Sequence, residues 1–151
     1  MKPRILYVIL QFAILLFTLP VPAQAEDGVC PSSFAKITED NKRFSVLVPK
    51  SSGLGNKQVY DDIGCSVLAR NEECASRQNM FDGAALAYDH STGAEFPVEK
   101  MYFVLKTDVR TPRGFGIVAF SSKEEAEEFS ASHGKGKVVK WYELVDESLK
   151  R

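Results

Sequence analysis

The sequence predicts an α+β fold, with short strands followed by helices along one exported chain. Three observations predict it. Phe44–Val48, Met101–Lys106 and Ile117–Phe120 are brief apolar runs rich in aromatic and β-branched residues, which suit strands. Asp61-Asp62 and Ser121-Ser122 stand ahead of helical patterns, where their side-chain oxygens accept the orphan N–H groups of a helix start. A content of 44% hydrophobic and 11% aromatic residues supports a packed core rather than a disordered tail.

The first element is not part of the fold. Residues 5–20 carry no charge, follow Lys2 and Arg4, and lead to Val21-Pro22-Ala23-Gln24-Ala25, the small-residue pattern of a secretory cleavage site. Cleavage after Ala25 is expected, leaving one domain's worth of chain at 26–151 and a periplasmic or secreted location. The alternative is an uncleaved anchor, although the apolar run is short of the roughly 20 residues of a membrane span. The whole chain has 19 basic against 20 acidic residues, and loss of Lys2 and Arg4 makes the mature chain mildly acidic. That balance excludes a strongly basic nucleic-acid binder.

Residues 26–33 form a polar lead-in. Phe44–Val48 is a strand stopped by Pro49, residues 51–56 are a turn, and Lys57–Tyr60 returns as a second strand. Asp61-Asp62 opens a short helix whose apolar stripe is Ile63, Val67 and Leu68 and which ends near Asn71. Glu72–Gly83 reads as a polar loop crossing to the second half. There, Ala84–Tyr88 is a strand and Asp89-His90-Ser91-Thr92-Gly93 a turn. Met101–Lys106 and Ile117–Phe120 are strands flanking the loop Thr111-Pro112-Arg113-Gly114-Phe115-Gly116. Ser121 or Ser122 caps a helix with Glu124 and Glu125 at capping-box spacing, Ala126, Phe129 and Ser130 on its inner face, and Gly134 and Gly136 to stop it. Lys137–Trp141 returns as a strand, and Tyr142–Leu149 forms a terminal helical turn or two. The halves, 26–83 and 84–151, read as diverged copies, because Val59-Tyr60-Asp61-Asp62 parallels Ala119-Phe120-Ser121-Ser122.

Catalytic patterns are absent: no nucleophile elbow and no Gly-rich phosphate loop between a strand and a helix. The two histidines, His90 in a turn and His133 at a helix end, suit structural roles. No enzymatic activity is expected. The three cysteines are an odd number for an exported protein, so at least one thiol is free, metal-bound or paired with another molecule. Cys65 lies in the first turn of the first helix, where the dipole favours a thiolate. Gly64 beside it lets a ligand or another backbone approach. One disulfide plus a spare thiol, a soft-metal site, or an inert buried cysteine are all open to Cys30, Cys65 and Cys74. Were the helix unbroken, Cys65 and Cys74 would face opposite sides, which leaves Cys30–Cys65 or Cys30–Cys74 as the pair. Arg110 and Arg113 flank Thr111-Pro112 and form either a solvated turn or a docking point for an acidic partner.

Residues 84–144 resemble the NosL family, accessory proteins of nitrous-oxide reductase that deliver copper in the periplasm. The carrying residues are Tyr88-Asp89-His90-Ser91-Thr92-Gly93, Met101-Tyr102-Phe103-Val104, Asp108-Val109-Arg110-Thr111-Pro112-Arg113-Gly114, the run Ala119–Phe129, and His133-Gly134 before Lys137-Val138-Val139. Upstream, Tyr60-Asp61-Asp62-Ile63-Gly64-Cys65 looks like the family's first-half junction. The resemblance implies a pair of small ββαβ-type modules and Cu(I) bound through sulfur and imidazole ligands. Where the family commonly carries Met after the loop proline, and in some members His after the following Gly, this chain has Pro112-Arg113-Gly114-Phe115. An N-terminal Cys-x-x-Cys-x-Met pattern is reduced here to Cys30. A guanidinium stays protonated and offers only donors, so Arg113 is no copper ligand. The resemblance therefore leaves Cys30 and Cys65 as candidate Cu(I) thiolates, with a periplasmic metalloenzyme or copper carrier as the implied partner. The rival is a metal-free interaction module stapled by a Cys30–Cys65 disulfide, with Arg110 and Arg113 facing a partner.

Overall fold

The structure, a computed structural model, describes residues 35–50 and 57–149. The expected signal segment, Cys30 and the expected turn at 51–56 lie outside the described residues. The elements in chain order are β1 (Val46–Pro49), β2 (Lys57–Tyr60), α1 (Ile63–Glu72), α2 (Ala75–Ala84), β3 (Leu86–Tyr88), β4 (Glu95–Pro97), β5 (Tyr102–Val104), β6 (Val118–Phe120), α3 (Lys123–Ser132), β7 (Val138–Lys140) and α4 (Trp141–Val145). Single 3-10 turns at Lys42–Phe44 and Val98–Lys100 precede β1 and β5. Among the described residues, no helix is long and apolar enough to cross a membrane.

The strands form two antiparallel sheets, ordered β2-β1-β3-β4 and β6-β5-β7. Each sheet has the same plan. A hairpin (β1–β2 or β5–β6) leads into a helix, and the chain returns to pair with the hairpin's first strand (β3 on β1, β7 on β5). This is the expected ββαβ pair within an α+β fold. The parallel noted between the two strand–helix junctions is repeated in their caps. Asp62 is extended and its Oδ1 accepts from Gly64 N at 2.9 Å, while Ser122 Oγ accepts from Glu125 N at 3.3 Å.

Two expectations are corrected. The stretch 72–83 is not a loop: α1 ends at Glu72 and α2 starts at Ala75, with Cys74 as its N-cap. Its inward contacts come from Phe81 and Asp82, which is too thin a stripe for periodicity to reveal. Asp82 holds it in place, accepting from Arg70 Nη2 at 2.6 Å and from the Trp141 indole Nε1 at 2.7 Å. The division between sheets also does not fall at 83/84. The strand expected at 84–88 pairs with β1, and β4, which the polar Ser91–Glu95 run concealed, pairs with β3, so the second sheet begins only at Tyr102.

Strand alternation then assembles the core. Phe103 of β5 and Ala119 of β6 face a main cluster shared with Val46, Ile63, Val67, Phe81, Trp141 and Leu144. Val104, Val118 and Phe120 face the other way, onto Ala126 and Phe129 of α3. The second sheet is thus covered by its own helix on one side and by the first module on the other.

Candidate functional site

The β5–β6 connection carries Arg113 across to the start of α1. Thr107 and Gly116 close the loop's neck: Thr107 N donates to Gly116 O at 3.0 Å and Thr107 Oγ1 to the same oxygen at 2.9 Å. Gly114 and Gly116 adopt positive φ (79° and 61°), which L side chains rarely take. For Gly116 a Cβ would also lie 2.9 Å from Thr107 O. Inside the loop, Gly116 N donates to Thr111 Oγ1, and Thr111 is buried.

At the tip, Arg113 Nε and Nη2 donate to Asp61 Oδ2 at 2.8 and 2.5 Å, and Arg113 N donates to Asp62 Oδ2 at 2.9 Å. The Asp61 side chain is only 1% exposed. Asp62 is fully buried, and burial pushes its carboxyl above the usual carboxylate value, against bonds from Thr111, Arg113 and Gly64 that pull the other way. Two residues on, Phe115 lies directly against Gly64. A Cβ at Gly64 would fall 2.2 Å from Phe115 Cγ, so only glycine admits the ring there. Phe115 also lines a cleft of about 390 Å³ with Leu105, Ile117 and Leu149.

Cys65 follows Gly64 in the first turn of α1 and is 3% exposed. The structure therefore brings Cys65's turn and Arg113's loop to one place. Arg110 is not part of it and stays exposed. Cys74, on a separate helix because α1 is broken, is exposed, and its thiol is held below its ordinary value by the Ser76 hydroxyl 3.4 Å away and the Arg77 backbone. Sequence reasoning took Asp61-Asp62 only as a helix start. Asp62 does cap, but Asp61 is Arg113's counter-ion, and a pairing across 52 positions leaves no local signal. Gly64 did carry one, since its lack of a side chain marked a close approach; the visitor is an aromatic ring. Among the described residues, no three or more His, Cys, Asp or Glu side chains converge to hold a metal.

His90 and His133 sit elsewhere, beside α3. The turn at 89–93 is built as expected, with Asp89 Oδ1 accepting from Thr92 N and Gly93 at φ 73°. It also docks the first module on the second, because Asp89 Oδ2 accepts from Ser121 N at 2.6 Å and His90 N donates to Ala119 O. His133 ends α3, its ring stacked on Phe129 at 4.2 Å and its Nδ1 3.0 Å from Asp108 Oδ1.

The NosL family model matches residues 59–149, well over half of the chain. Among solved structures, the chain is similar to the crystal structure of the copper chaperone NosL from Shewanella denitrificans. The two are 21% identical with a TM-score of 0.58, over 83% of this chain and 96% of that one. At that identity the likeness carries the fold. No curated protein matches the chain.

Proposed function

The chain belongs to the NosL family, accessory proteins rather than enzymes, and from that premise we propose that it is an exported accessory protein that carries Cu(I). Cys65 and Cys30 are the thiolate ligands in this reading, and a periplasmic metalloenzyme or copper carrier receives the ion. The observation that carries it is the meeting of Cys65's helix turn with the loop Pro112-Arg113-Gly114-Phe115, two segments 47 to 50 positions apart that the family resemblance had marked separately. Supporting chemistry is modest and specific. Cu(I) prefers soft sulfur donors and accepts two of them in line. Arg113 supplies no ligand, being engaged with Asp61.

A second reading has its own support. The partly exposed Arg113 on buried Asp61 and the Phe115 ring on Gly64 suit a metal-free interaction module on the same scaffold, with Arg110 as the exposed charge for a partner. Titrating the reduced mature chain with Cu(I) against a competing chelator separates the two. One equivalent bound tightly, and lost in both Cys65→Ser and Cys30→Ser, is the result expected for the carrier. No binding in the parent chain, together with a mass two hydrogens short in the oxidised protein, selects the stapled module.

A further inference from the structure

We infer that the β5–β6 loop is a strap over Cys65, tied down by Arg113, and that releasing the tie governs access to that thiol. The inference deepens the copper reading and rests on it for its biological purpose, though not for its geometry. Seven consecutive residues, 61–67, are buried, five of them the opening residues of α1. At 3.6 residues per turn, five successive side chains point in every direction around the axis, so the opening turn must be enclosed on all sides. Against α1 as a whole, the first module packs β2 and α2, and the second packs α4. Over the N-terminal end comes the β5–β6 loop, with Phe115 on Gly64 and Arg113 on Asp61 and Asp62. Phe115 and Cys65 belong to the same buried cluster.

The tie differs in kind from the rest of the enclosure. The other elements around α1 are held by apolar packing, with the Asp82 clamp on Arg70 and Trp141 confined to the far end of the helix. The tip of the strap, beyond the Phe115 ring on Gly64, is instead held by one guanidinium, one backbone N–H and the Thr111 hydroxyl, all on two neighbouring carboxylates. Such a contact opens as a unit when its charge pair is lost, because Asp61 in its buried place then lacks its counter-ion and draws water. The loop has its own closed neck at Thr107 and Gly116 and two glycines at positive φ, so it is built to move as a body without unravelling β5 or β6. Local opening of this kind costs less than global unfolding and is the ordinary route by which a buried group meets solvent.

Alkylation of the reduced full mature chain with iodoacetamide, read at each cysteine by peptide mass, tests it. Exposed Cys74 serves as the internal reference. Arg113→Ala is expected to raise the Cys65 rate about tenfold or more relative to Cys74, with Arg113→Lys in between. The urea dependence of Cys65 labelling in the parent chain guards against general destabilisation. A strap gives a rate nearly flat in low urea, while opening by global unfolding gives the full slope of the equilibrium transition. The full slope in the parent chain, or an unchanged Cys65 rate in a folded Arg113→Ala variant, overturns the strap. Copper titration of the same variants reports separately. Faster labelling without Cu(I) binding keeps the strap and removes the copper reading.

Discussion

His90 holds its Nδ1 buried and without a hydrogen-bond partner among the described residues, its ring within 5.3 to 5.8 Å of Phe44, Phe120 and Phe129. Burial is the largest cause lowering its pKa from the ordinary value, and Arg43 and His133 push the same way against Asp89. A histidine whose folded pKa is depressed leaves the unfolded chain binding more protons, so stability rises with pH through that window. The penalty therefore sets in as pH falls through about 6.5 and is complete below the folded value. Asp89 adds to the same acid lability lower down. Burial raises its carboxyl, but bonds from Ser121 and Thr92 win and hold it below the usual value. Its contribution is present above the ordinary carboxylate pKa and is lost as pH falls through the folded one. We expect Tm to drop between pH 7.5 and 5 in the parent chain and to drop clearly less in His90→Phe, which keeps the aromatic packing without the proton. Equal drops in the two proteins would show that His90 does not carry the effect. The turn around His90 was legible because Asp, Thr and Gly at those spacings write their own backbone bonds. The aromatic cage was not, since Phe44, Phe120 and Phe129 come from three separate elements.

α2 shows why an element can be absent from the pattern and present in the fold. Its ten residues bury only Phe81 and Asp82, and its N-cap side chain makes no capping bond. What fixes it is the carboxylate of Asp82, 8% exposed, between the Arg70 guanidinium of α1 and the Trp141 indole of α4. An acidic residue reads as solvent-facing in a sequence, so a helix anchored by one is taken for a loop. α1 and α3, with caps and apolar stripes of their own, were read to within a residue or two. Asp82→Ala leaves a buried indole N–H and a mostly buried guanidinium without their acceptor, and should cost about 3 kcal/mol or more. Urea denaturation measures it, and a loss below about 1 kcal/mol would mean that water replaces the carboxylate at little cost. Gly136 makes a companion case for β7. A Cβ there would meet Leu105 O at 1.8 Å, a backbone atom with nowhere to retreat, while Leu105 N donates to Lys137 O beside it. Gly136→Ala should destabilise by about 3 kcal/mol or more, visible as a lower urea midpoint. A midpoint unchanged within error would mean that β7 shifts freely.

The two modules share one plan but not two cores, and that distinction decides how the molecule holds together. The plan was legible in part: hairpin and capped helix read twice, and the paired junctions at 59–62 and 119–122 marked the repeat. The first module's returning strand, however, was assigned to the second half, and the full ββαβ pair came from the family resemblance. The way the copies meet was not legible, because it depends on pairings such as Arg113 with Asp61 and Asp89 with Ser121, which join residues 52 and 32 positions apart. Phe103, Ala119, Val139, Trp141 and Leu144 of the second module all turn toward Val46, Ile63, Val67, Phe81 and Ala87 of the first. Taken alone, the second module would keep the small cluster beneath α3, built on Val104, Val118, Phe120 and Ala126, and contacts among its own residues such as Phe103 with Trp141. It would open its larger apolar face to water. At about 25 cal/mol per Å² of apolar surface, a domain of this size has no reserve to lose half of its buried area. The chain 98–151 produced by itself should therefore lack a cooperative thermal transition and the dispersed amide spectrum of a packed domain. The intact chain should melt in one step, with the Trp141 fluorescence of α4 and the far-ultraviolet dichroism of both modules changing together. A cooperative melt of the fragment alone would mean that the cluster beneath α3 suffices, and that the shared core joins two units already able to fold.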